Sequence, residues 1–225
     1  MHEVSLGQSI RDYLTGEQVD ATTYEDLRQA LARLLVEERG YPATALCPRV
    51  EVRFALPDAA SGKLRGGVAV PESRRGSVPT GASQPSAVPS AGAASEDARI
   101  GEACRVVDFV AMGPDGRPLL AVLFCAGQVN TYLRESLAAA RLLPGGPAPL
   151  VVVTDTRDAL LVATESGTVQ GEGMRAIPAW SDALALAAAH PSLALSAERR
   201  DAEARILHAY TGFLKTCCGE SVCLL

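Results

Sequence analysis

The stretch RVVDFVAMGPDGRPLLAVLFCAG (105–127) decides the fold of this chain. It holds two apolar runs of strand length on either side of GPDG (113–116), a combination of residues that is typical of a tight hairpin turn. The second run, RPLLAVLFCA (117–126), is almost continuously apolar, as in a central strand that is covered on both faces. We therefore expect a β-hairpin whose second strand lies in the middle of a sheet.

The segments that follow alternate between helical and strand patterns. QVNTYLRESLAAARLL (128–143) repeats apolar or small residues at helical spacing, and PLVVVTD (149–155) is a β-branched strand. DALLVAT (158–164) is expected to pair with it through a tight turn. A hairpin followed by a helical crossover into another strand predicts an α/β fold, with a mixed sheet flanked by helices on both faces.

The preceding segment TTYEDLRQALARLLVEERGY (22–41) predicts an amphipathic helix that ends at Gly40. Thr23 followed by Asp26 resembles a capping box at its start. RVEVRFAL (49–56) is the next predicted strand, and two further helices are expected near the C-terminus, in WSDALALAAAH (180–190) and from about Ser196.

A long insertion separates the strand at 49–56 from the hairpin. It is crowded with Pro, Gly, Ser and Ala and has no aromatic residue, so it cannot bury enough apolar surface to offset the entropy of ordering. We interpret it as a disordered, low-complexity segment. The expected organisation is an N-terminal tail (1–20), a core in two parts (21–56 and 100–192), the insertion (57–99), and a C-terminal helix with a cysteine-containing tail (193–225).

Composition limits the function classes. The chain has 225 residues and is 48% hydrophobic, with no run of about 18 apolar residues and no signal-peptide layout at its N-terminus. We therefore expect no membrane association and a cytoplasmic location, where its cysteines would be reduced thiols. The net charge of −5 gives no long-range attraction for phosphate backbones.

Lysine is rare in this chain. Of 21 basic residues, only Lys63 and Lys215 are lysines, and both lie outside the segments that are predicted to form the core. A mechanism that needs a lysine therefore has few candidates.

Taken together, these segments resemble the N-terminal nuclease domain of type I restriction enzyme R subunits, part of the PD-(D/E)xK, restriction-endonuclease-like superfamily. The resemblance covers about residues 23–165 and is carried by TYEDLRQALARLLVEERGYP, RVEVRF, RVVDFVAM, PLLAVLFCAG and PLVVVTD. It implies that Glu25 is the acid of the opening helix and Asp108 the strand aspartate. It also places Leu123 and Cys125 at the glutamate and lysine of the Glu-x-Lys motif.

The resemblance implies a degenerate active site with Glu25, Asp108, Leu123 and Cys125 at vestigial positions. In active relatives, carboxylates hold a divalent cation that polarises the phosphate, and the lysine orients or activates the nucleophile. Leu123 offers no oxygen, so Asp108 and Glu25 are the only candidate metal ligands. We expect no cofactor, with Mg²⁺ or Mn²⁺ relevant only if the chain is a nuclease after all.

Simpler explanations exist for the same residues. Asp108 is either part of a former metal site or a buried acid that is hydrogen-bonded to a neighbour such as Arg105 or Arg28. Glu25 in a first helical turn is explained by the helix dipole. Cys125 has no histidine near it in the sequence and is typical of an inert core residue.

The C-terminal cysteines are the only clustered candidate metal ligands besides these acids. Cys217, Cys218 and Cys223 lack the spacing of a usual zinc site. Docking of the last helix is the simpler role for this end of the chain.

Three hypotheses remain open at this point. The leading one is a non-catalytic domain that acts as a binding or interaction module, with either a nucleic acid or a protein as its partner. The first alternative is a divalent-metal-dependent DNA endonuclease with an altered active site. The second is a structural or regulatory partner protein that uses its C-terminal helix, because a fold alone does not fix a function.

Overall fold

The structure, a computed structural model, describes residues 4–55 and 102–218. The predicted low-complexity insertion at 57–99 and the last of the six cysteines, Cys223, lie outside the described residues. The described residues belong to one compact unit, so the C-terminal helix at 197–218 is part of the same unit as the core.

The secondary-structure elements follow one another in an order close to the predicted one. They are β1 (Ser5–Arg11), β2 (Gln18–Thr22), α1 (Glu25–Arg33), β3 (Leu46–Ala55), β4 (Glu102–Met112), β5 (Pro118–Phe124), α2 (Val129–Arg141), β6 (Leu150–Thr154), β7 (Ala159–Ala163), β8 (Thr168–Glu172), α3 (Trp180–Ala189) and α4 (Ala197–Cys218).

The main sheet confirms the predicted mixed α/β fold. Its six strands lie in the order β3-β4-β5-β6-β7-β8. Only β5 and β6 are parallel, because α2 crosses over between them, and the other neighbouring pairs are antiparallel. All seven residues of β5 are buried, which confirms its prediction as a central strand.

Apolar side chains fill a core layer on each face of this sheet. One layer packs the sheet against α2 and α4, with Leu137 and Leu207 among its buried residues. The other layer packs it against α1 and α3, with Leu31 and Ala183 among its buried residues. We refer to these as the α2 layer and the α1 layer.

The helix α1 begins differently from expectation, whereas the segment ends at Gly40 as expected. Its N-cap residue is Tyr24 rather than Thr23, and no side chain caps it, so the predicted capping box is wrong. The helix continues into a π-helical turn at Leu34–Glu38. Gly40 follows with a φ of 72°, a left-handed conformation that glycine adopts without strain, and this confirms its role in ending the helix.

Three strands, β1, β2 and β8, were not predicted. Residues 1–20 were assigned to a tail, whereas the structure places β1 and most of β2 there, paired as an antiparallel two-stranded sheet. SLGQSIR in β1 and TVQGE in β8 are mostly polar and exposed, so neither has the apolar alternation by which strands are predicted. Among residues 4–55 and 102–218, no helix is long and apolar enough to cross a membrane.

Candidate functional site

Asp108 lies where the pairing of two central strands is interrupted. The pairing of β4 with β5 runs from Met112 to Phe109. At the next residue, Asp108, the side-chain carboxylate rather than the backbone accepts the hydrogen bond from β5. Its Oδ2 accepts a hydrogen bond from the backbone N–H of Phe124 at 2.7 Å. Asp108 is 6% exposed, so this acid is held inside the sheet rather than at its surface.

The neighbouring strand is also irregular at this point. In the β3–β4 register Pro48 pairs with Phe109 and Val50 with Val107, so Arg49 lies opposite Asp108. Arg49 has a φ of 52°, which is unfavourable for a residue with a side chain. Non-glycine residues in this region cost about 1–3 kcal/mol and occur preferentially at functional sites.

Arg28 joins the two acids that the resemblance identifies. Its Nε donates a hydrogen bond to Oδ1 of Asp108 at 2.7 Å, and its Nη1 donates to Oε2 of Glu25 at 3.3 Å. Glu25 and Arg28 are three residues apart in α1 and therefore adjacent on the helix surface. The guanidinium of Arg28 consequently lies between Glu25 and Asp108.

Glu25 has further donors that the sequence analysis missed. Its Oε2 also accepts a hydrogen bond from Nη2 of Arg49 at 2.7 Å, and its Oε1 accepts one from Nε2 of Gln29 at 2.8 Å. The Glu25 side chain is only 2% exposed, so the helix dipole alone does not explain its charge. Both of its oxygens are already occupied by protein donors.

Leu123 and Cys125 lie in the apolar core next to these acids. Each is 1% exposed, and both belong to the α2 layer. Residues two apart in a strand point to the same face, as the alignment on Glu-x-Lys requires. Neither side chain offers an oxygen ligand or an ammonium group.

The thiol of Cys125 is held in its protonated form. Burial raises the pKa of Cys125 to about 12, and the nearby carboxylates of Asp155, Asp108 and Glu135 act in the same direction. The Sγ donates a weak hydrogen bond to the carbonyl oxygen of Gly127 at 3.6 Å. A thiol with so high a pKa is a poor nucleophile at neutral pH.

Alkylation should distinguish this thiol from the half-buried Cys47. We expect iodoacetamide at pH 8 to modify Cys47 well before Cys125 in the folded protein, because the thiolate fraction of Cys125 is about 10⁻⁴ at that pH. Peptide mass spectrometry over a time course measures both sites. In denaturant the two rates should become similar, and equal rates in the folded protein would contradict this account.

A second buried ion pair lies on the α2 side of the sheet. Nε of Arg105 donates to Oε1 of Glu135 at 2.5 Å, and Nη1 of Arg105 donates to the carbonyl oxygen of Val106 at 2.6 Å. Burial lowers the pKa of Arg105, but the carboxylates of Glu135 and Asp108 outweigh it, so the pKa is raised and the charge is fixed. Within the described residues, Oε2 of Glu135 has no hydrogen-bond partner.

No family model, no curated protein and no solved structure matches this chain. The resemblance to the R-subunit domain therefore stays a prediction.

The residues of the site do not suit the divalent cation that the resemblance implies. In the part of the chain that the structure describes, no group of three or more His, Cys, Asp or Glu side chains is placed to hold a metal ion. Leu123 provides no oxygen, and the guanidinium groups of Arg28 and Arg49 already balance the charges of Glu25 and Asp108. Mg²⁺ needs several oxygen ligands in near-octahedral geometry, which this arrangement does not offer.

The structure thus brings only two of the four predicted positions into one polar group. Glu25 and Asp108 meet through Arg28, whereas Leu123 and Cys125 belong to the apolar α2 layer. Of the two neighbours named for Asp108, Arg28 makes the direct contact and Arg105 pairs with Glu135.

Proposed function

We propose that this chain is a restriction-endonuclease-like domain that does not cleave nucleic acid and acts as a binding or interaction module. The fold it would share is that of the N-terminal domain of type I restriction enzyme R subunits. The observation that carries the proposal is the Arg28 guanidinium, which contacts both Glu25 and Asp108 and, together with Arg49, balances their charges.

A guanidinium in this position supplies charge but no catalysis. Unlike a metal ion, it cannot bind a water molecule and lower its pKa to produce a hydroxide nucleophile. Arginine also stays protonated in proteins and cannot act as a general base. The acids are therefore paired with arginines and do not gain the means to hydrolyse a phosphodiester.

The remaining positions support the same proposal. Leu123 and Cys125 fill the α2 layer, where a glutamate and a lysine would be needed for chemistry. The order α1, β3, β4, β5, α2, β6 is the one on which the resemblance was based, and this supports the fold that we propose. The partner, a nucleic acid or a protein, is not specified by these residues.

The competing proposal is a DNA endonuclease that uses Mg²⁺ or Mn²⁺ at an altered site. The two proposals make opposite predictions about metal binding, because a ligand stabilises the native state by an amount that grows with its occupancy.

We expect millimolar Mg²⁺ or Mn²⁺ to leave the melting temperature of the protein unchanged. Differential scanning fluorimetry across a metal titration makes the measurement, with NaCl at matched ionic strength as the control. The matched variant is Asp108→Ala. It should melt at a lower temperature than the parent, and metal should leave its melting temperature unchanged as well. A saturable rise in the melting temperature that Asp108→Ala abolishes would favour the endonuclease.

A further inference from the structure

A continuous chain of buried and partly buried hydrogen bonds begins in the turn between β1 and β2. Oδ1 of Asp12 accepts hydrogen bonds from the backbone N–H groups of Leu14 and Thr15, both at 2.9 Å. Asp12 is 6% exposed although it lies in a hairpin turn, because α1 covers it. This carboxylate therefore organises the turn and also faces the core.

Gln29 connects the turn to Glu25. Its Nε2 donates to Oδ2 of Asp12 at 3.1 Å and to Oε1 of Glu25 at 2.8 Å, while its Oε1 accepts the backbone N–H of Tyr13 at 2.7 Å. The orientation of the amide is fixed by these contacts, because its nitrogen faces two carboxylates and its oxygen faces an N–H group. All three contacts are lost together if the Gln29 side chain turns.

The chain then crosses from the helix to the sheet. Glu25 contacts Arg28, Arg28 contacts Asp108, and Asp108 accepts the N–H of Phe124 in β5. The first and last groups are more than one hundred residues apart in the sequence. Each link is a direct hydrogen bond between named atoms.

Most of β1 lies outside the core, whereas Tyr13 and Leu14 in the turn pack against the α1 layer and Ala21 of β2 is buried. Six of the seven residues of β1 are exposed, and the β1–β2 pair forms a sheet of its own, separate from the main sheet. An isolated two-stranded hairpin is at best marginally stable in water. Its docking therefore depends on the hydrogen bonds of Gln29 together with the apolar packing of Tyr13 and Leu14. The Arg33 guanidinium lies 5.6 Å from the centre of the Tyr13 ring, and the Tyr13 hydroxyl makes an exposed contact to Glu37.

We propose that the β1–β2 hairpin is a latch whose docking is coupled to the contact between Asp108 and Arg28. When Asp108 no longer accepts from Arg28, this guanidinium can turn towards Glu25, which it already contacts. A guanidinium that binds Glu25 through both oxygens competes with Gln29 for Oε1. Gln29 then loses its fixed orientation, and the Asp12 turn loosens.

This coupling gives the molecule a conformational response that does not depend on catalysis. Any partner that draws Asp108 or Arg28 away from its present contact would loosen the hairpin, and a partner that holds the hairpin would stabilise the Asp108 centre. The reciprocity is a thermodynamic requirement of coupled equilibria.

Hydrogen exchange of the full chain, read by NMR, tests the coupling. In Asp108→Asn we expect the Tyr13, Leu14 and Thr15 amides to exchange about fivefold faster or more than in the parent. The matched control is Glu135→Gln, which alters a buried acid on the α2 side that has no contact with this chain of hydrogen bonds. It should change those rates by less than about twofold.

The reverse experiment uses Gln29→Leu, which should speed exchange of the Phe124 amide. The amides of Val152 and Val162, buried in β6 and β7, provide the internal reference for global stability. If Asp108→Asn unfolds the reference strands, the experiment uses the Arg28→Lys variant instead. A lysine cannot span both acids as a guanidinium does. Unchanged hairpin rates in a folded variant, or equal acceleration in Glu135→Gln, would overturn the proposal.

Discussion

Replacing Arg28 with alanine is expected to lower the free energy of unfolding by about 3 kcal/mol, because Asp108 loses the cation that pairs with it inside the protein. The value is at the low end for a buried pair, since the Arg28 side chain keeps 15% exposure. Urea unfolding followed by circular dichroism measures it. Manganese should recover part of the loss, because Asp108 then lacks its cation and Glu25 loses one of its donors, while it keeps those from Arg49 and Gln29.

The matched control for this variant is Arg105→Ala. It also removes a guanidinium from a buried carboxylate, so its stability loss should be comparable. That change removes the direct cation partner of only one acid, Glu135, and we therefore expect no manganese response. A parent-like stability of Arg28→Ala, or an equal metal response in both variants, would contradict the role that we assign to Arg28.

The second large effect concerns the Glu-x-Lys positions. Leu123→Glu with Cys125→Lys places two charges where side chains are 1% exposed, at a cost on the order of 5 kcal/mol. While Arg28 remains between Glu25 and Asp108, we expect manganese to leave the free energy of unfolding of this double variant unchanged.

Adding Arg28→Ala to that double variant should change the outcome. The new carboxylate at position 123 and Asp108 are on adjacent strands next to the last pair of the β4–β5 ladder, Phe109 and Val122. We expect the triple variant to be partly unfolded without metal and to fold when manganese is added, with a further Asp108→Asn change abolishing the effect. Circular dichroism with and without manganese measures this. Absence of any response in a chain that can fold would show that the assumed alignment is wrong.

The apolar strands and the crossover helix were predictable from the sequence. β5, β6 and β7 are continuous apolar runs, and a hairpin followed by α2 leaves few alternatives to a mixed sheet. The β1–β2 hairpin was not predictable, because its strands are polar and its attachment depends on Asp12 and Gln29, which meet only after α1 has formed.

The candidate site was only partly predictable for a similar reason. The contact between Arg28 and Asp108 joins residues 80 positions apart, and local patterns named Arg28 and Arg105 as equal alternatives. Gln29 lies four residues after Glu25 in α1, a spacing that places the two polar side chains on one helix face. This spacing could have predicted the contact between them. Arg49 gave no such signal, since its conformation depends on the interruption at Asp108.

Nuclease activity of the intact chain is the most direct test of the central claim, that Arg28, Leu123 and Cys125 leave this site without catalytic function. The assay incubates the protein with double-stranded DNA, single-stranded DNA and RNA in Mg²⁺ or Mn²⁺, beside an identically purified Asp108→Ala variant. We predict no cleavage by the parent beyond that of the variant. Metal-dependent cleavage by the parent that Asp108→Ala removes would contradict the claim and establish an active endonuclease.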